Sequence, residues 1–194
     1  MRAALPPVTV CGIVLAAGAG TRFGGPKGLA RDEHGLPWVD GAVRTLRAAG
    51  CDPVIVVVGA AADAVAALVP AGAVIAEADD WADGLSASVR AGLSAAAATR
   101  AEAALIVPVD TPDLTVSACL RVADDAGSAT LRQARYDGVP GHPVLIGRRH
   151  WTRLAAAVDG DRGAGGYLRA QAAEAVECAD LWHGRDVDRP TPGA

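Results

Sequence analysis

The chain has 194 residues, 21% of them charged, and a formal net charge of −4 at pH 7. This excludes the clustered positive charge that a nucleic-acid coat or a polybasic membrane surface needs. Four Cys without paired spacing, no signal-peptide pattern and no apolar run of membrane-spanning length exclude a disulfide framework and a transmembrane segment, so we expect a cytoplasmic protein.

Apolar runs alternate with helical patterns along the first two thirds of the chain. The predicted strands are Val8–Leu15, Val54–Val58, Val74–Ala76 and Ala104–Val107. The predicted helices are Val39–Ala49, Ala62–Leu68, Leu85–Ala98 and Thr115–Ala126, the last opened by a Thr cap. Alternation at this spacing predicts right-handed βαβ units and a parallel sheet.

The pattern changes after residue 127. Strands are predicted at Thr130–Ala134 and Pro143–Ile146, joined by the loop Tyr136–His142, and then a helix at Gly163–Ala173, a strand at Ala175–Cys178 and a polar tail at Asp186–Ala194. We expect a single Rossmann-like, three-layer α/β/α domain with a mostly parallel sheet. Ligands of such sheets bind at the carboxyl ends of the strands.

A Gly-rich loop follows the first strand, and residues 15–27 read LAAGAGTRFGGPK. A dinucleotide fingerprint would need Gly where Phe23 stands, and a Walker A loop would need Ser or Thr where Gly28 stands. The small residues let backbone N–H groups approach phosphates, and Arg22 and Lys27 can neutralise them. Lys27 is the one Lys beside 17 Arg, and a compact ammonium suits a crowded phosphate site.

This string resembles the signature of the molybdopterin cytidylyl- and guanylyltransferases, within the wider superfamily of sugar-nucleotide pyrophosphorylases. Ala17 and the Gly-Pro before Lys27 are more similar to the cytidylyl branch. The resemblance implies a GT-A-like nucleotidyltransferase fold, with a nucleotide-binding half at about 8–127 and an acceptor-binding half at about 128–190. It implies catalytic roles for Lys27, Arg22 and Asp110, and nucleotide contacts from Leu15, Ala16, Ala17, Gly18, Gly20 and Thr21.

Two acidic motifs resemble the family's metal-binding motifs. Asp110 follows the strand that ends in Pro-Val, and Mg²⁺ typically takes one or two carboxylates together with phosphate oxygens. By itself Asp110 would be a turn cap, but its similarity to the strand-end D-x-P motif implies a Mg²⁺ ligand. Residues 186–190 resemble D-[IV]-D-T-P, which implies a second ligand at Asp188 rather than Asp186; a solvated tail is the alternative.

Residues 81–92 look like the segment with which the family recognises the nucleotide base at the start of a helix. Gly84 would let the backbone approach a flat ring, and Ser86 and Ser88 would offer hydroxyl groups. A helix start with Ser caps is an equally complete reading of the same residues. Trp81 and Arg90 are expected to be scaffold.

Two further motifs resemble acceptor-side motifs of the family. Gly141-His142-Pro143 is similar to its G-H-P motif, which implies that His142 contacts the acceptor. Residues 160–164 are similar to its G-D-x-G-A stretch, which implies that Asp161 and Arg162 are binding residues, with Arg162 and the N–H groups of the following helix at the acceptor's phosphate. Many members continue with Arg where this chain has Gly165.

The resemblance thus implies a Mg²⁺-dependent enzyme that transfers CMP from CTP to molybdopterin cofactor and releases pyrophosphate. Its partners would be a molybdenum hydroxylase and the maturation factors of that enzyme. One alternative is the same chemistry with GTP, or with a sugar or alcohol phosphate as acceptor. A dinucleotide-dependent oxidoreductase is disfavoured by Phe23, and a nucleotide-binding maturation factor without turnover is the non-enzymatic alternative.

Overall fold

A computed structural model describes residues 9–189 of the chain. The strands are β1 (Val10–Leu15), β2 (Val54–Val58), β3 (Val74–Glu77), β4 (Ala103–Pro108), β5 (Leu131–Tyr136), β6 (Val139–Gly147) and β7 (Glu174–Glu177). The helices are α1 (Trp38–Ala48), α2 (Ala62–Ala66), α3 (Leu85–Ala97), α4 (Val116–Ala123), α5 (Trp151–Ala157) and α6 (Gly165–Ala170). Val8 and the tail beyond residue 189 lie outside the described residues.

The seven strands form one sheet in the order β3-β2-β1-β4-β6-β5-β7. β1 pairs in parallel with β2 and β4, and β2 pairs in parallel with β3. β6 is antiparallel to both of its neighbours, while β7 runs parallel to β5. Six strands therefore run in one direction, which confirms the mostly parallel sheet of the predicted fold class.

Helices cover both faces of the sheet, because the central strands are apolar on both sides. Val14 packs into a core cluster with Val43 of α1, whereas Ile13 packs into a second cluster with Leu93 of α3. Small residues bring these helices close: a Cβ at Gly12 would lie 2.9 Å from Leu46 Cδ1. The three-layer arrangement follows from these two clusters.

In the second half of the chain, the structure differs from the sequence predictions at three places. The expected loop Tyr136–His142 is a hairpin whose turn is only Asp137–Gly138, both with positive φ, and β6 already begins at Val139. Its Pro and Gly residues hid the strand, because they are depleted in strands. Helix α5 was not predicted. Helix α4 ends at Ala123 rather than Ala126, two residues before Asp125 adopts a left-handed φ of 44°.

The topology brings the carboxyl ends of β1, β2 and β4 together. The Ala16 N–H donates to Val57 O at 2.9 Å, and the Val109 N–H donates to Leu15 O at 3.0 Å. The loops that follow these strands therefore share one edge of the sheet. Within residues 9–189, no helix has the length and apolar character that crossing a membrane requires.

Candidate active site

A cleft of about 480 Å³ opens at this edge of the sheet. Its walls come from the loop after β1, the segment that starts α3, the end of β4 and the loop before α6. Predicted site residues that line it are Leu15, Ala16, Ala17, Gly18, Gly20, Thr21, Lys27, Gly84, Ser88, Asp110 and Asp161. Three of these side chains carry formal charge: Lys27, Asp110 and Asp161.

The Gly-rich loop is folded around Gly20. Gly20 has a φ of +60°, and a Cβ there would collide with Gly25 O, so only glycine fits. Its carbonyl oxygen accepts hydrogen bonds from the amides of residues 23, 24 and 25 at 2.9, 3.0 and 3.2 Å. Within residues 9–189, the N–H groups of Gly18, Ala19 and Thr21 donate to no other backbone group. These amides are the donors that a phosphate oxygen requires.

Lys27 lies between two carboxylates. Its Nζ donates to Asp110 Oδ2 at 2.8 Å and to Asp188 Oδ1 at 3.2 Å. Partial burial acts to lower the pKa of Lys27, but the two carboxylates outweigh it, and the pKa is raised above its ordinary value. The ammonium is therefore fully charged at neutral pH.

Asp110 forms a carboxylate cluster with Asp186 and Asp188, in which one oxygen atom of each carboxylate lies within 4.8 Å of the other two. The tail reaches this position because the Val187 N–H donates to Asp110 O at 2.9 Å. Sequence reasoning weighed Asp188 against Asp186, and the structure brings both to Asp110.

The cluster has the properties that a divalent cation needs. Asp110 Oδ1 is buried, and it has no hydrogen-bond partner within residues 9–189. Three carboxylates and one ammonium leave a net charge of −2, and hard divalent cations prefer such oxygen ligands. These residues fit the metal that the sequence resemblance implies.

Trp81, which sequence reasoning assigned to the scaffold, also lines the cleft. A Cβ at Gly59 would lie 2.6 Å from Trp81 Cβ and 2.9 Å from Ala17 Cβ, so Gly59 allows Trp81 to pack against the first loop. The signal was present in the sequence, since Trp81 opens the same segment as Gly84 and Ser88. A half-buried indole in a cleft offers a flat surface for a ring.

The loop before α6 reaches the cleft through Asp161, and it is docked on the start of α3. The Ser86 N–H donates to Gly160 O at 2.9 Å. Gly84 has a φ of +100°, and a Cβ there would lie 2.6 Å from Asp161 Oδ1 and 2.7 Å from Gly160 O. The absence of a side chain at Gly84 thus allows this loop to pack against the start of α3, besides leaving room for a ligand ring.

Five predicted site residues do not line the cleft itself: Arg22, Ser86, His142, Arg162 and Asp188, although Asp188 contacts Lys27 beside it. Ser86 is 1% exposed, and its Oγ has no hydrogen-bond partner within residues 9–189. Its backbone N–H donates to Gly160 O, which keeps the residue buried under the loop before α6. Burial lowers the pKa of His142, which lies in β6 instead of a loop, and its ring is neutral at neutral pH. Arg22 and Arg162 are exposed.

Comparison with known proteins places these features in a family context. The MobA-like NTP transferase domain matches residues 12–176. A curated relative named nicotine blue oxidoreductase, from Paenarthrobacter nicotinovorans, is 36% identical over 197 aligned residues, which cover 95% of this chain and 93% of the relative.

The fold of this chain is similar to those of several solved structures. The Rv0371c protein of Mycobacterium tuberculosis is 27% identical with a TM-score of 0.78 and 94% coverage of both chains. Its structure in complex with manganese is 26% identical with a TM-score of 0.71, covering 88% of this chain and 87% of the other. A nucleotidyl transferase from Methanothermobacter thermautotroptrophicus, 21% identical, has a TM-score of 0.78 and covers 93% and 92% of the two chains.

Proposed function

The chain belongs to the MobA-like NTP transferase family and is therefore a nucleotidyltransferase, and on that premise we propose that it transfers CMP from CTP to molybdopterin cofactor. An acceptor phosphate oxygen attacks the α-phosphorus of CTP. The bond from the α-phosphorus to the oxygen that bridges to the β-phosphate breaks, and pyrophosphate leaves. The observation that carries this proposal is Lys27, held by Asp110 and Asp188 beside the free amides of the Gly-rich loop.

The chain's own residues supply positioning and charge. The amides of Gly18, Ala19 and Thr21 bind the triphosphate, and Lys27 stabilises the negative charge that grows on the departing pyrophosphate. Arg22 is exposed on the same loop, where its long side chain can add a second cation to the outer phosphates. Ser88, at the start of α3, contacts the nucleotide base. No covalent enzyme intermediate is needed, because positioning carries this class of reaction.

We propose Asp110, Asp188 and Asp186 as the residues that hold a Mg²⁺ ion. When bound, the ion neutralises phosphate oxygens and so assists attack at the α-phosphorus. The related Rv0371c protein has been crystallised in complex with manganese, which supports a divalent ion in this family. Manganese is accordingly a suitable probe for the site.

The test is Mg²⁺-dependent release of pyrophosphate by the purified protein with molybdopterin cofactor, with CTP and GTP compared in parallel. Release with CTP alone supports the proposal, and it agrees with the similarity of Ala17 and Pro26 to the cytidylyl branch. Release with GTP alone keeps the chemistry and overturns the choice of nucleotide. Binding of Mg-CTP with no product in any acceptor assay identifies a maturation factor without turnover.

A second candidate function comes from the curated relative, whose name is that of a redox enzyme. With 36% identity over nearly the whole chain, this chain can share the relative's named reaction on nicotine blue. The corresponding assay is oxidation of reduced nicotinamide dinucleotide with nicotine blue as acceptor. Phe23 interrupts the dinucleotide fingerprint, so we expect no turnover; rapid oxidation would make the redox function the primary one.

A further inference from the structure

Asp161 is an exposed carboxylate in the wall of a cleft whose other groups suit phosphates. Its side chain forms no ion pair or hydrogen bond with the rest of residues 9–189, whereas Lys27 and Asp110 pair with each other. A carboxylate is an acceptor only, and it repels phosphate. The ligand group that faces Asp161 must therefore be a hydrogen-bond donor without negative charge.

The backbone that carries Asp161 is fixed by several contacts with α3. Besides the bond from Ser86 N–H to Gly160 O, Arg90 Nη1 donates to Val158 O at 3.3 Å. A Cβ at Gly163 would lie 2.8 Å from Leu85 Cδ2, so the loop contacts α3 closely after Asp161 as well as at Gly84. A loop held at both ends against a helix keeps its carboxylate at a constant position in the cleft.

The surroundings of Asp161 suit a flat ring. Its Oδ1 lies against Gly84, and the same cleft holds the indole of Trp81. The two oxygens of a carboxylate match two parallel N–H donors, which is the geometry of bidentate recognition. An amino group next to a ring N–H presents such a pair, as in the pyrimidine-type ring of pterins and of guanine. Cytosine presents its amino group next to an acceptor nitrogen, so it lacks the pair.

We propose that Asp161 determines specificity by binding a flat heterocycle through an amino group and the adjacent ring N–H. This inference rests on the proposed function, and it gives Asp161, which the sequence resemblance implies only as a binding residue, a role in ring recognition. The ring belongs either to the acceptor, as a pterin, or to the nucleotide, as guanine. Cytidine nucleotides do not depend on Asp161.

The experiment measures equilibrium binding of 6-hydroxymethylpterin, GTP and CTP to the wild-type protein and to Asp161→Asn. The amide keeps the size of the side chain but replaces one acceptor with a donor. We expect binding of one N–H-rich probe to weaken at least about tenfold, in the range of discrimination that a lost bidentate pair produces. CTP binding is expected to stay within about twofold, and Asp159→Asn is the matched control, because Asp159 is exposed in the same loop and does not line the cleft.

Each outcome has a separate meaning. Weakened pterin binding alone assigns the ring to the acceptor, and weakened GTP binding alone assigns it to the nucleotide. Equal effects on all three probes, no effect on any, or no wild-type binding of pterin and GTP overturn the role of Asp161. Pyrophosphate release from CTP in that last case preserves the proposed function. Ring binding that depends on Asp161 without any nucleotidyl transfer preserves the inference and overturns the proposed reaction.

Discussion

Removal of the Lys27 ammonium should change metal binding and turnover in opposite directions. In the nucleotide-free protein, Lys27 Nζ is bonded to Asp110 Oδ2 and Asp188 Oδ1, so it competes with a divalent cation for the same carboxylates. In Lys27→Met the carboxylate cluster loses its internal cation while the side chain keeps a similar volume. We therefore expect tighter binding of Mn²⁺ and slower catalysis in the same variant.

The structure allows the size of the effect on metal binding to be worked out. The side chains of Lys27 and Asp110 are 16% and 19% exposed, so this contact is a partly buried charge-assisted hydrogen bond worth roughly 1.5 to 2 kcal/mol. Asp188 is 67% exposed, and solvent screening leaves its contact with Lys27 worth about 0 to 0.5 kcal/mol. Freed carboxylates should then bind Mn²⁺ roughly ten- to sixtyfold more tightly.

Calorimetric titration of the nucleotide-free protein with Mn²⁺ measures this change without any reliance on turnover. Loss of a cation at the departing pyrophosphate should lower kcat by about 10²- to 10³-fold. Arg44→Met is the control for altered net charge, because Arg44 pairs with Asp40 on α1 outside the cleft. An unchanged or weaker Mn²⁺ affinity in Lys27→Met would refute the competition between the ammonium and the metal.

Three further predictions concern the fold. In Gly84→Ala, the new side chain would sit at a φ of +100° and against the Asp161 loop, so the substitution should destabilise the fold by about 1 to 3 kcal/mol and weaken CTP binding. Gly165→Ala is the control, because a Cβ there meets open space and should change neither quantity; thermal unfolding measures stability, and titration with CTP measures binding. Backbone N–H groups, Ala179 foremost, lower the pKa of Glu177, so its stabilisation is present above the unfolded pKa and lost as pH falls through the folded pKa. Chemical unfolding at about pH 5 and pH 3 should show a smaller loss for Glu177→Gln than for wild type, and an equal loss would contradict the assignment. The four Cys are buried, and burial raises the pKa of three of them to about 12. A thiol reagent should therefore modify no Cys in the native protein and all four in denaturant. Rapid labelling of the native protein would contradict the burial of these thiols.

The sequence predicted the first four strands and the Gly-rich loop well, because their signals are local. β1 and β4 are continuous apolar runs, and a buried parallel strand requires that pattern. The glycine at position 20 is required by a turn that closes on Gly25, only five residues away. Because Lys27 follows β1 and Asp110 follows β4, the order of the strands was enough to predict that both residues lie at one edge of the sheet.

The rest of the site depends on contacts that sequence order does not display. Asp186 and Asp188 reach Asp110 only because the chain returns past β7 and donates from Val187 N–H to the end of β4. The burial of Ser86 likewise follows from a bond to Gly160, which lies 74 residues further along the chain. Trp81 was assigned to the scaffold because its position against Gly59 depends on the packing of two loops.

Nucleotidyl transfer in this cleft is tested most directly with CTP labelled at the α-phosphorus. In the presence of Mg²⁺ and molybdopterin cofactor, we predict that the label moves into a pterin-containing product in step with pyrophosphate release. Lys27→Met should form that product at least about a hundredfold more slowly. If the label stays in CTP or appears only as free CMP, under conditions where CTP binds, nucleotidyl transfer to the pterin acceptor would be contradicted.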